Sequence, residues 1–228
     1  MNKADIYYKN NLKRILEEGS IDENPRPKYK DGTSAYCQYI TQVFEEYDIS
    51  KGEFPLTTLR STAIKTGIKE ILWIYQDQDS FLESAHKRGI FWWDEWNIGD
   101  GIGQRYGATI GKWDLMNKLL KGLKEDPFSR HYIINMYQES DIKETDGLYP
   151  CAYETLWSVR KIGEELILDL TLIQRSNDYI MAGYINKIQY VALQLMVCGH
   201  LGYKPGKFCH LVQNLHVYDR HIDAAKEY

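Results

Sequence analysis

The chain is short of the features that secreted and nucleic-acid-binding proteins rely on. Its four cysteines among 228 residues, Cys37, Cys151, Cys198 and Cys209, are scattered without a C-x-x-C pair, and its six histidines show no metal-ligand spacing. That excludes a disulfide framework and a zinc module, and it predicts reduced thiols in a cytoplasmic protein with no bound metal. Positive charge is also in deficit, since 28 lysines and arginines face 32 acids and leave a net charge of −4. No broad cationic surface is available to hold a polyanion, so DNA is not an expected partner. The longest apolar run, around Tyr190 to Leu201, is too short to cross a bilayer, so no membrane association is expected. The opening Met-Asn-Lys-Ala-Asp lacks the apolar segment of a signal peptide. The loop Gly99-Asp100-Gly101-Ile102-Gly103 lacks the spacing and the lysine of a phosphate loop.

What remains is enough for one large domain spanning 1–228, with 43% hydrophobic residues to fill its core. Eighteen tyrosines and six tryptophans suit cavity walls that are greasy with one polar end.

Periodicity then divides the chain. Ile6, Leu12, Ile15 and Leu16 predict a surface helix over 4–18 that stops at Gly19. Prolines and an Asp-Gly turn make 24–33 a loop, in which Arg26 is either an anion ligand or a solvated charge. A strand is expected over 36–47. Ile64, Ile68, Ile71, Leu72 and Tyr75 predict an amphipathic helix over 60–76, with Glu70 on the shoulder of its apolar face. A carboxylate there sits by default at the wet margin; the other reading dips it into a cavity. Ser80-Phe81-Leu82-Glu83 matches a capping box and predicts a short helix ending at Gly89. Three tryptophans, Trp92, Trp93 and Trp96, beside acids and glycines would suit a flat aromatic ligand. A further helix runs through Leu123 to Asp126-Pro127, and strands are expected over 132–137 and 166–173. Residues 182–201, apolar nearly all round, predict the core helix, closed by Gly202. In the last strand, a period of two puts Cys209, Leu211, Leu215 and Val217 on one face and His210, Asn214, His216 and Tyr218 on the other, a set that suits a polar cavity better than a solvent-facing side.

The stretch Leu148 to Val159 draws these elements together. Pro150 cannot donate to a ladder, and aromatic and β-branched residues follow it, so Cys151 stands where a loop enters a sheet. A thiol there can face a cavity, although free cysteine more often packs as a small hydrophobe. Downstream, Gln174-Arg175-Ser176-Asn177-Asp178 sets a row of hydrogen-bonding side chains at a strand exit.

Taken together, Tyr149-Pro150-Cys151, Gln174 to Asp178, Asn186 and His216-Val217-Tyr218 resemble the thymidylate synthase family over nearly the whole chain. Arg26, Glu70-Ile71-Leu72-Trp73, Trp93 to Trp96, Tyr106-Gly107 and Ser129-Arg130 extend the resemblance. It implies an α+β fold, with a mixed or antiparallel sheet packed against a long core helix and further helices outside. It also implies reductive methylation of 2′-deoxyuridine 5′-monophosphate (dUMP) at C5, with 5,10-methylenetetrahydrofolate as co-substrate and no metal.

The chemistry suits the residues. C5 of uracil is a poor nucleophile until a thiolate adds at C6 and pushes electrons toward C5 and O4. Cysteine is soft and nucleophilic, and a nearby cation lowers its pKa toward neutrality. The resemblance assigns Cys151 as nucleophile and Arg175 as that cation. Arg26, Arg175, Ser176 and, from the partner subunit of a homodimer, Arg130 would hold the phosphate. Gln174, Asn177, Asp178 and His131 complete the expected nucleotide contacts. Asn186 would bond the uracil edge, His216 and Tyr218 the sugar hydroxyl. Glu70 would move protons with help from Tyr106, and Asp178 and Trp93 would meet the reduced folate.

Some positions depart from the family pattern. His131 stands where a second arginine is usual, which weakens one phosphate contact or makes it pH-dependent. Gly183-Tyr184-Ile185-Asn186 keeps the asparagine but alters its support, and Ala152 and Ala63 replace histidines. The family continues beyond the equivalent of Tyr228 with residues that fold over the folate, so nucleotide binding with poor turnover is expected of the chain as given. Two other readings stand beside this one. A deoxycytidylate hydroxymethylase would carry aspartate in place of Asn186. A paralogue without catalysis would bind nucleotide, or RNA weakly.

Overall fold

In the computed structural model, which describes Met1–Tyr228, helix α1 (Lys3–Glu18) opens on a reciprocal cap. The Asn2 side chain accepts from the Asp5 amide at 2.8 Å and the Asp5 carboxylate accepts from the Asn2 amide at 3.0 Å. Asp5 also accepts from Thr57 and Thr58, which ties the loop after 52 to the helix. The capping box expected at Ser80 does not form. Helix α3 is Leu82–Lys87 with Phe81 at its N-cap, and Asp79 accepts from the Ser80 and Phe81 amides instead.

After the short β1 (Ser20–Ile21), strand β2 covers Cys37–Asp48 and helix α2 covers Ile64–Leu72, running on into a π-helical turn at Trp73–Asp77. Helices α4 (Gly107–Lys112) and α5 (Leu115–Glu125) lead to β3 (Ile133–Asn135) and α6 (Glu139–Glu144). Strands β4 (Ala152–Ile162), β5 (Glu165–Gln174) and β6 (Asn177–Asp178) precede the core helix α7 (Ile185–Leu201). Strand β7 (Lys204–Tyr218) and the short α8 (Ile222–Lys226) complete the chain.

The strands form one sheet in the order β1-β2-β7-β5-β4-β3, with β6 also on β7. Pairing is antiparallel except where β5 and β6 run parallel to β7, the two ends of a crossover through α7. Helix α7 lies on one face of this mixed sheet, as the α+β expectation requires. Gly202 stops it in the left-handed conformation at φ +73°. On that covered face Trp157, Leu168, Leu170, Leu172, Phe208 and Val212 are buried with Val191, Leu193 and Val197 of α7. Each such aliphatic side chain contributes roughly 1.5–3 kcal/mol by leaving water.

The opposite face is bare. Phe44, Leu211 and Ile173 follow one another across β2, β7 and β5, and Leu156 and Ile133 lie beside them across β4 and β3. Phe44 remains 54% and Ile133 47% exposed.

The uniform alternation expected for the last strand fails at its middle. Pairing between β2 and β7 skips Gln42 and Gln213, and Gln42 adopts φ +57°. Before the break Phe208, His210 and Val212 point inward; after it Leu215 and Val217 do. His210 therefore lies on the inner face at its level, while Cys209 and Leu211 line the bare face.

Candidate active site

Cys151 precedes β4, and a bulge between Ala152 and Glu154 bends the chain there. Its amide donates to the Tyr106 hydroxyl at 2.9 Å, and its carbonyl accepts from the Arg175 amide at 2.9 Å. Arg175 leaves β5 and turns back over the same loop. Its guanidinium donates to Pro150 O at 2.9 Å, to Tyr149 O at 2.7 Å and to Cys151 Sγ at 3.4 Å. One cation thus positions the nucleophile's backbone and faces its sulfur. Burial nevertheless pushes the half-buried thiol up, with Arg175 and then the exposed Arg26 pulling it down. The lowering expected from a nearby cation is therefore corrected: both guanidiniums act in that direction, but burial is the larger influence and the net shift is upward.

Tyr106 reaches Cys151 from an uncommon backbone, φ +46°, at the entrance to α4. The next residue has to be glycine, because a Cβ on Gly107 would lie 2.2 Å from Asp79 O. A non-glycine residue in this region costs about 1–3 kcal/mol. The Tyr106 ring packs 5.3 Å from that of Trp93, which in turn lies 6.4 Å from Trp73.

Glu70 is not at the wet margin of α2. It is 6% exposed and accepts from Trp93 Nε1 and Gln189 Nε2. Burial pushes its carboxyl up to about 7 despite those donations. A carboxyl poised there is suited to carry protons in both directions near neutrality.

From Glu70 a line of amides crosses the site. Gln189 Oε1 accepts from Asn186 Nδ2 at 3.1 Å, and Asn186 Oδ1 accepts from Gln174 Nε2 at 3.1 Å. Gln174 Nε2 also donates to Ser176 O at 3.0 Å, and Gln174 Oε1 meets His210 Nε2 at 2.9 Å. Burial and then Lys187 pull His210 down to about 3, so the ring is neutral.

The remaining candidates fall into two groups. Asp178 caps the turn before α7 by accepting from the Met181 amide at 3.1 Å. Asn177 is 2% exposed with both amide atoms unpartnered. His216 and Tyr218 share one side of β7 with rings 4.9 Å apart, and burial followed by Asp178, Cys37 and Cys151 pushes Tyr218 up to about 12. Arg130 and His131 stand apart on an exposed loop beside β3, where His131 bonds Ser129. Neither joins the cluster around Cys151 within this chain.

A family model described as thymidylate synthase matches residues 6–228. The chain belongs to the thymidylate synthase family. It is 52% identical to the thymidylate synthase of Streptococcus pneumoniae (strain 70585) over 230 residues, covering 100% of this chain and 82% of that one. It is 51% identical to the thymidylate synthase of Streptococcus gordonii (strain Challis) with the same coverage. The thermostable thymidylate synthase A of Bacillus subtilis superimposes with a TM-score of 0.88 at 32% identity, over 98% of this chain and 82% of that one. Family membership makes this chain an enzyme of thymidylate synthesis, a methyl transfer to a pyrimidine C5.

Sequence reasoning missed Gln189 and the pair Lys187–Glu45, and it named His210 on the polar face of the last strand without its bond to Gln174. A signal for them was present: polar side chains at 187, 189 and 194 in a helix otherwise apolar all round must be paired inside the protein.

Proposed function

We propose that this family member converts dUMP to dTMP with 5,10-methylenetetrahydrofolate as donor of both the one-carbon unit and the hydride. Cys151 adds to C6 of the pyrimidine and C5 becomes electron-rich. C5 then bonds the activated methylene and loses its proton, the folate is released by elimination, and its hydride reduces the methylene to methyl as the thiol departs. The observation that carries the reading is the Arg175 fork, which faces Cys151 Sγ at 3.4 Å. A dianionic phosphate joining Arg175 and Arg26 would draw on that fork, together with Ser176 and the partner's Arg130. As the C6–S bond forms, the ring's electron pair moves toward O4 and the thiol proton follows it there, so the addition balances. Glu70, at about 7, is suited to relay protons at O4 and C5, with Tyr106 alongside. Asn186 takes the uracil edge, His216 and Tyr218 the sugar, Gln174, Asn177 and His131 support the nucleotide, and Trp93 and Asp178 face the folate.

The bare apolar sheet face supports a homodimer in which two sheets meet, the arrangement that Arg130 needs to act in trans. The same reading places the enzyme in the cytoplasm with its nucleotide and folate.

The test is tritium release from dUMP labelled at C5, with and without methylenetetrahydrofolate. Release that depends on folate and is lost in Cys151→Ser, while nucleotide affinity persists, is the expected result. Nucleotide or weak RNA binding without any release would instead identify the catalysis-free paralogue and sink the proposal.

A further inference from the structure

The carboxamide of Asn186 has two orientations of nearly equal shape and opposite hydrogen-bonding sense. One offers a donor to uracil O4 and an acceptor to N3–H. The other matches the amino group and bare N3 of cytosine. Asparagine alone therefore does not decide between the two bases; something has to hold its amide one way round.

The surroundings of Asn186 supply that hold from both sides. A backbone carbonyl can only accept, so Ser176 O at 3.0 Å fixes the nitrogen end of Gln174 toward itself. The second Gln174 N–H then reaches Asn186 Oδ1 at 3.1 Å. The freed oxygen of Gln174 faces His210 Nε2 at 2.9 Å, which requires the proton on that nitrogen, and His210 Nδ1 is buried without a partner. On the other side Gln189 donates to Glu70, so its oxygen is left to accept from Asn186 Nδ2 at 3.1 Å. Helices α2 and α7 meet closely here: a Cβ on Gly67 would lie 3.4 Å from Gln189 Cγ. Gln189 thus has little room to turn.

We propose that His210 and Gln189 are positioning residues that fix uracil specificity, holding the Asn186 amide in a one-way chain of hydrogen bonds anchored on the Ser176 carbonyl. The inference rests on the functional reading above. Neither residue touches the base, and His210 acts through two amides.

The test compares affinities for dUMP and 2′-deoxycytidine 5′-monophosphate by calorimetry in the full chain. Wild type is expected to prefer dUMP. His210→Phe, which keeps a ring but no donor, and Gln189→Leu should each lower the dUMP-to-dCMP affinity ratio about tenfold, the worth of one strong hydrogen bond. His210→Gln, whose amide nitrogen can stand where Nε2 stood, should restore the ratio. A purely structural role would weaken both nucleotides together, so an unchanged ratio in His210→Phe and Gln189→Leu overturns the inference. If wild type itself binds neither nucleotide, or prefers dCMP, the functional reading falls and takes this one with it. Should His210→Phe not fold, Gln189→Leu alone decides.

Discussion

Lys187 and Glu45 face each other at 2.6 Å inside the protein, their side chains 0% and 3% exposed. The Lys187 ammonium also lies 3.9 Å from the centre of the Tyr184 ring, and Glu45 accepts from Asn11, Tyr47 and Tyr179. This pair fastens the first turn of α7, which carries Asn186 and Gln189, to strand β2. Removing one partner strands the other charge, so Lys187→Met should cost about 3–5 kcal/mol in urea unfolding. Lys187→Met combined with Glu45→Gln should cost less than the single change. A double variant less stable than Lys187→Met would contradict this account.

The raised pKa of Glu70 has a consequence for stability. The unfolded chain ionises this carboxyl near 4.5, whereas the folded protein holds the proton to about 7. Its contribution is therefore fully present below pH 4.5, falls as pH rises toward 7, and is constant above. Relative to Glu70→Gln, wild type should lose roughly 3 kcal/mol across that window. Chemical denaturation at a series of pH values measures it; parallel curves would show an ordinary carboxyl. The rate of dUMP conversion should also carry a limb near pH 7 that is missing in Glu70→Gln.

Arg175 and Arg26 both work against the burial of the Cys151 thiol. Arg175→Ala should raise the thiol pKa further and slow alkylation by iodoacetamide at pH 8 about tenfold, since a cation this close shifts a thiol by a unit or more. Arg26→Ala should do the same more weakly. Mass spectrometry of the Cys151 peptide gives the rates. Unchanged alkylation in Arg175→Ala would mean that its charge does not reach the sulfur.

The bare sheet face predicts a particle of twice the 26.7 kDa chain mass in sedimentation. Phe44→Glu should dissociate it by placing a charge among Leu211 and Ile173. Because Arg130 would then be lost from the neighbouring site, dUMP affinity should fall with dissociation. A Phe44→Glu chain that sediments as wild type would exclude this face as the interface.

Much of this was legible in the sequence because local chemistry and final structure agree. Gly19 and Gly202 end helices where expected, and Pro150 places Cys151 at the mouth of a strand. What was not legible depended on partners distant in the chain. Glu70 reads as a helix margin until Trp93 and Gln189 are brought against it. Ser80 loses its capping role because Asp79 takes the amides first. A period of two presumes an unbroken strand, so it groups Cys209 and Leu211 with Leu215 and Val217, whereas His210 takes the inner face at its level; Gln42 carries no sign of a positive φ. The lowered thiol pKa expected at Cys151 counts nearby cations without the burial that accompanies them, and burial is not written in the local sequence.

The break at Gln42 and Gln213 limits how this scaffold can be reused. A designer copying the β2–β7 ribbon as an ideal ladder would place both imidazoles, His210 and His216, on the same side of it. Transplanting this pocket therefore means transplanting the irregularity too, because a straighter ribbon would deliver a different set of side chains to the same ligand.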